Sequence, residues 1–385
     1  MSWLIKSNSP YIKEDQYQLI RTHKYQGQEL SYSYNYFYSP ICTKLPNLVS
    51  LIGFLFNLGP HIMIPLFFTN DLEGDLPSWF CYFLGISFFI YMVCDNTDGK
   101  QARRTGSSSA LGMLIDHGMD SITAFVCILI IQTLVQVGNN YSAIISLTAS
   151  TLPFYFATIE QYYTGELILQ VVNGIDDGSF LYIFICFAGG YYGPKELFLS
   201  QINIFGYEIT YSYLLILTLS GSSYFQVIPK NTPHFKKTFR WPTFILHNLW
   251  MIIHIIVFFA AAYFSPENIS ETHTKRVQYA FGFQFILICL RIQYSIVTKE
   301  VFNPYRRTTI LTWGLLIANT ICAIVTGKSI MNEALMYLGL ATISFLALIH
   351  LVICVIIELK AILGVNLLTL TQKQLDAQKT STKRD

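Results

Sequence analysis

Hydrophobic residues in this chain gather into long, nearly unbroken runs, and polar residues fall between them. About 20 mostly apolar residues are what a helix needs to cross the hydrocarbon core of a bilayer. Ten runs approach that length: 46–69, 77–98, 108–137, 142–164, 179–194, 208–228, 242–264, 277–297, 309–326 and 333–358. The fifth is short and carries the Gly-rich stretch AGGYYG, so it is the weakest of the set. The pattern predicts an all-α integral membrane protein with about ten transmembrane helices. Residues 1–45 read as a cytosolic interfacial N-terminal segment, 46–360 as the polytopic membrane domain and 361–385 as a polar tail. No soluble domain fits between the runs.

Composition agrees with this reading. Of 385 residues, 52% are apolar and only 12% charged, too few to cover a soluble core of this size. The net charge of +2 gives no reason to expect nucleic acid as a partner. Eight cysteines are present without a C-x-x-C pair, so they read as small buried hydrophobes rather than a disulfide or zinc framework. With the N-terminus cytosolic and ten spans, twenty Lys and Arg fall on cytosolic segments and four on the opposite side. That bias supports both the span count and the orientation. The sequons at Asn140 and Asn268 fall on the non-cytosolic side. Residues 11–38, rich in Tyr, Phe, Lys and Arg, suit the headgroup layer and read as an arm without catalytic residues. The first 40 residues lack the apolar core of a cleavable signal, so the first span is expected to direct insertion.

Acidic residues interrupt this picture. Asp95 and Asp98 close the second run, and Asp116 and Asp120 open the third. A charge within a span costs about 2.5–3.5 kcal/mol at its centre and less at its ends. Spacings of i,i+3 and i,i+4 put each pair on one helix face. A short loop folds the two helices back as antiparallel neighbours, so both pairs can converge at the cytosolic end. Four carboxylates at one spot repel unless cations lie between them. All-oxygen ligation suits Mg²⁺ or Mn²⁺, and two such ions clamp a phosphoryl group during in-line displacement. The loop fits phosphate chemistry too. Gly99 would allow a sharp turn after Asp98, Arg103 offers a planar fork, and Ser107, Ser108 and Ser109 precede a helix N-terminus. Gly112, one turn before Asp116, either leaves room for a nucleotide or serves helix packing.

These residues resemble a known signature. Asp95-x-x-Asp98-Gly99-x-x-Ala102-Arg103, then Gly112, Asp116 and Asp120, is similar at every position and spacing to the signature of the CDP-alcohol phosphotransferase family. The wording DGKQARRTGSSS and DHG, with HKYQGQELS at 23–31 and PNLVSLIG at 46–53, resembles its eukaryotic choline/ethanolamine phosphotransferase branch. The resemblance implies a ten-helix homodimeric membrane enzyme of the endoplasmic reticulum or Golgi, with its site facing the cytosol. It implies transfer of phosphocholine or phosphoethanolamine from CDP-choline or CDP-ethanolamine to diacylglycerol, with release of CMP. Asp95, Asp98, Asp116 and Asp120 would then hold two Mg²⁺ or Mn²⁺ ions. Asn47, Gly99, Ala102, Arg103 and Gly112 would line the nucleotide site; Asn47 has a second reading as a helix N-cap.

A base must take the lipid hydroxyl proton as attack proceeds. Asp120 and His117 are both candidates, and the sequence leaves the choice open. Glu160, Tyr163 and Asp177, with Tyr162 and Asp176 beside them, are candidates for the alcohol headgroup site, since aromatic faces with a carboxylate suit a quaternary ammonium. The tyrosines have a second reading as an interfacial belt. Asp177 is shorter than the Glu common at its place in the family. His350 reads as a helix-bonding residue. A transporter would place its acids near the midplane rather than at one end. A sister enzyme for inositol, glycerol phosphate or serine would need an added basic patch.

Overall fold

The computed structural model describes residues 11–23, 27–29, 49–104, 109–169, 176–226 and 241–365. The chain is an all-α membrane protein. Among the described residues, eight helical segments are long and apolar enough to cross a bilayer. They contain α2 (Val49–Met63, continued by a π-helical turn at Ile64–Phe68), α3 (Ser78–Arg104), α4 (Ala110–Leu134), and the pair α5 (Tyr141–Ser146) and α6 (Thr148–Thr164). After the shorter helices α7, α8 and α9 come α10 (Trp241–Tyr263), the single turn α11 (Ile269–Thr272), α12 (Thr274–Thr298), α13 (Arg307–Thr326) and α14 (Glu333–Leu363). The remaining two expected spans are helices but fall short. Helix α7 (Asp176–Tyr192) has 17 residues and α9 (Tyr211–Gln226) has 16. Helix α7 stops because Gly193 turns left-handed (φ 84°) and Pro194 starts the short helix α8 (Pro194–Phe198). Helix α9 starts late because Tyr207–Thr210, expected to begin a span, is instead strand β4, paired antiparallel with β3 (Gln201–Ile204). Phe205 and Gly206, both at positive φ, make that tight turn.

Helix α12 is the axis. Of its apolar window 89% is buried inside the protein, against 22% for the α2 segment, which leaves α2 facing lipid. Two cores form around it. One joins α4, α6, α10, α12 and α14 through Tyr155, Phe258, Phe285 and Tyr337. The other joins α2, α3, α4 and α7 through Phe80, Leu84, Ile130 and Cys186. Ile122 on α4 packs against both. Buried amides and hydroxyls tie the helices laterally: Gln284 bonds Thr312 and Ser344, and Gln278 bonds Gln132. The seven cysteines within the described residues are free, and most are buried.

The described part of the arm, residues 11–23, rests on the bundle: its short helix α1 (Tyr17–Arg21) packs beside α12 and α14, and Ile12 and Ile20 are each 1% exposed in the core. Burying two such side chains contributes about 2 kcal/mol each. The carboxylate of Glu358 accepts the Tyr11 and Ile12 amides at 3.0 and 2.7 Å. His350 bonds the Tyr11 hydroxyl at 3.0 Å, tying α14 to the arm rather than to another helix. Further on, β1 (Gly27–Glu29) pairs parallel with β2 (Leu167–Leu169), just beyond α6.

Candidate metal and nucleotide site

Helices α2, α3 and α4 pack closely where α3 ends and α4 begins. Gly53 permits this, because a Cβ there would lie 2.4 Å from the Cβ of Cys94 and 3.3 Å from the Tyr91 Cα. Asn57, buried on α2, donates to Thr123 on α4 at 3.2 Å and accepts from Cys127 at 3.5 Å. Ser109 caps α4, its hydroxyl accepting the Gly112 amide at 3.1 Å. These contacts fix where the acids point. One carboxylate oxygen from each of Asp95, Asp116 and Asp120 lies within 4.8 Å of the others. Two unit charges at that separation repel by about 3 kcal/mol at an effective dielectric of about 20. Three half-buried carboxylates so placed form an all-oxygen donor set that fits a hard divalent cation.

Tyr91 completes the group. It lies one turn before Asp95 on the same face of α3 and donates to Asp120 Oδ1 at 3.0 Å. Sequence reasoning passed over it, although the i,i+4 spacing from Asp95 was there to be read. Asp120 therefore belongs to the carboxylate group. His117 does not: its ring is buried on the adjoining face of α4, against Gln293 of α12. Gln293 in turn donates to Gln161 of α6 at 3.2 Å. Gly118 brings α4 close to α12, since a Cβ there would meet Leu290 Cδ2 at 3.0 Å.

The loop reading changes in one respect. Gly99 is not a turn. Helix α3 continues through Asp98, Gly99, Ala102 and Arg103 to Arg104, because a helix tolerates a lone Gly at about 1 kcal/mol. Residues 105–108, with Ser107 and Ser108, lie outside the described residues, and Asn47 does as well. The side chains of Asp98, Ala102, Arg103 and Asp176 also lie outside the description. Gly112 is exposed, and among the described residues a Cβ on it would meet only the Ser109 hydroxyl, at 3.5 Å.

The headgroup candidates stand at the same end of the bundle but outside the carboxylate group. Glu160 is half-buried near the end of α6, and Asp177 half-buried at the start of α7. Tyr163 is buried with its hydroxyl 2.8 Å from His247 Nδ1. Its ring meets those of Tyr162 and Phe244 edge-on.

With the geometry in place, sequence comparison adds to it. Residues 43–165 match the family model described as CDP-alcohol phosphatidyltransferase. That stretch spans α2, α3, α4 and α6, so it contains every acid of the group. Along most of its length the chain is similar to "Choline/ethanolaminephosphotransferase 1" of Arabidopsis thaliana, 27% identical over 92% of this chain and 97% of that protein. It is 27% identical to "Cholinephosphotransferase 1" of Saccharomyces cerevisiae over 55% of this chain and 58% of that protein. A higher identity, 42%, links it to "Uncharacterized CDP-alcohol phosphatidyltransferase class-I family protein 3" of Dictyostelium discoideum. That match spans 37% of this chain and about a third of the relative, 35%.

Proposed function

We propose that this protein transfers phosphocholine or phosphoethanolamine from CDP-choline or CDP-ethanolamine to diacylglycerol. The observation that carries the reading is the convergence of Asp95, Asp116 and Asp120 at one end of a lipid-embedded bundle. Asp98 would join them as a fourth ligand of two Mg²⁺ or Mn²⁺ ions. Bound divalent ions supply charge neutralisation at the transferring phosphoryl group. The protein's own part is positioning and proton removal. The diacylglycerol oxygen attacks the phosphorus bearing the alcohol. The bond from that phosphorus to the CMP oxygen breaks, and CMP leaves with the electron pair.

The hydroxyl proton passes to a protein base. Asp120 is the better candidate of the two, since its carboxylate stands in the acid group, oriented by Tyr91, while His117 is buried against Gln293. Gly99, Ala102, Arg103, Gly112 and Asn47 would line the nucleotide. Glu160, Tyr163 and Asp177 would choose the alcohol. The protein would act as a homodimer in the endoplasmic reticulum or Golgi membrane with this end in the cytosol.

Purified protein in nanodiscs with diacylglycerol, Mg²⁺ or Mn²⁺ and labelled CDP-choline or CDP-ethanolamine should yield labelled phospholipid. Chelation should stop the reaction and added metal restore it. Asp116→Asn should abolish turnover without loss of fold. Failure of both donors in active-quality protein would defeat the proposal, and their ratio identifies the alcohol.

A further inference from the structure

Two arginines stand together at a corner of the same bundle end. Arg291 lies about two turns before the end of α12, and Arg306 immediately precedes α13. They line one small cavity with Asn303, Thr308 and Thr309, and each lies within range of the other's charge. Among the described residues neither forms an ion pair. The Arg306 Nε is buried and, among the described residues, has no hydrogen-bond partner.

The nearby carboxylates are engaged elsewhere. Glu358 accepts the Tyr11 and Ile12 amides, and Glu300 pairs with Lys13 at 3.2 Å. The Tyr11 phenol that bonds Arg291 is neutral. Arg306 is also the N-cap of α13 and gives its amides no side-chain acceptor. Two like charges side by side, a buried donor without a partner and a helix N-terminus without a side-chain cap are all answered by the same partner, an anion.

The corner is separate from the acid group. Gln293 points to Gln161 and His117, and Arg291 lies two residues, about 200°, around α12 from it. Arg291 instead shares the face of Gln284, seven residues back, which bonds Thr309 and Thr312 of α13. The cavity holds about 10 Å³, room for one oxygen-sized atom. A ligand must therefore insert one oxygen between the guanidiniums and keep its bulk outside. Val301 and Tyr305, 78% and 51% exposed, adjoin the lining residues in sequence and offer exposed apolar surface beside them.

We propose that Arg291 and Arg306 bind the phosphate of an anionic membrane lipid. A phosphate presents oxygens to paired guanidinium forks, and its glycerol would rest on Val301 and Tyr305. The test uses full-length protein in nanodiscs containing dioleoyl phosphatidic acid, read by native mass spectrometry. The expected result is a saturable lipid adduct that Asp116→Asn retains and Arg306→Gln weakens at least about tenfold. Arg306→Lys should recover part of the loss, because charge returns without the fork. Should Arg306→Gln unfold, Arg306→Lys alone carries the comparison with the parent, at an intermediate affinity. Displacement by millimolar inorganic phosphate, with no preference for the lipid, would assign the corner to free phosphate and overturn the lipid reading. Absence of a saturable adduct, or equal binding by parent and both Arg306 variants, would overturn the site.

Discussion

Substituting Gly53 by Ala tests whether helix spacing sets the acid geometry. The new Cβ would sit 2.4 Å from Cys94 Cβ, about 1 Å inside ordinary contact, and 3.3 Å from the Tyr91 Cα. A side-chain rotation at Cys94 cannot move its own Cβ, and the Tyr91 contact is backbone. Helices α2 and α3 must therefore part by about 1 Å. Asp95 follows Cys94 directly, and Tyr91 holds Asp120, so the displacement reaches two of the three acids. A shift of about 1 Å can lower turnover by roughly 10²-fold, while overpacking costs about 1–3 kcal/mol of stability. The assay is donor-saturated transfer to diacylglycerol, with elution volume and Tm recorded alongside. Cys94→Gly removes the clashing atoms from the other side. Gly53→Ala with Cys94→Gly should therefore regain at least about tenfold of the loss. Near-parental turnover in Gly53→Ala, or a folded double variant no faster than the single, would refute the reasoning.

Other outcomes follow from the same contacts. Tyr91→Phe removes the hydroxyl that orients Asp120 and should lower turnover about 5- to 30-fold with an unchanged elution profile, read as kcat against KM for the donor. Glu333→Ala would strand the buried Asn319 amide, bonded to it at 2.7 Å, and the Ser265 hydroxyl; about 1–3 kcal/mol should be lost, seen as a lower Tm. His23 on the docked arm touches Met113 sulfur at 3.4 Å, and burial, aided by Lys299, pushes its pKa down to about 4. The undocked arm takes up a proton first, so docking is complete above about pH 6.5 and weakens as pH falls toward 4. Cleavage within residues 11–23 by a protease active across that range should rise on acidification, and His23→Gln should flatten the profile.

Most of the bundle could be read from hydropathy because a bilayer imposes one length on every crossing helix. The exceptions have local causes. Gly193 and Pro194 cut α7 short, and a hairpin took the first residues assigned to α9. The acid group could be read from spacing, since i,i+4 positions share a face in any helix. What spacing could not supply was the rotation of that face. Asp120 falls in the seam with α3, while His117, three residues earlier, turns into the core toward α12. The docked arm was hidden for another reason. Its hydrogen-bond partners on α14 lie more than 330 residues away, and Ile12 and Ile20, apolar positions in a polar stretch, hinted at burial.

That arm has a consequence for biosynthesis. Tyr11 and Ile12 are held by Glu358, and Arg21 donates to the Ile362 carbonyl. These contacts of the arm thus cannot form until α14 has been made. At about 5–20 residues per second the arm waits roughly 20–70 s after its own synthesis. During that interval Met113, beside the acid group, lacks its His23 contact. The start of the chain is therefore one of the last parts to settle, and a nascent chain stopped before α14 should insert its earlier helices while leaving this end of the bundle uncovered.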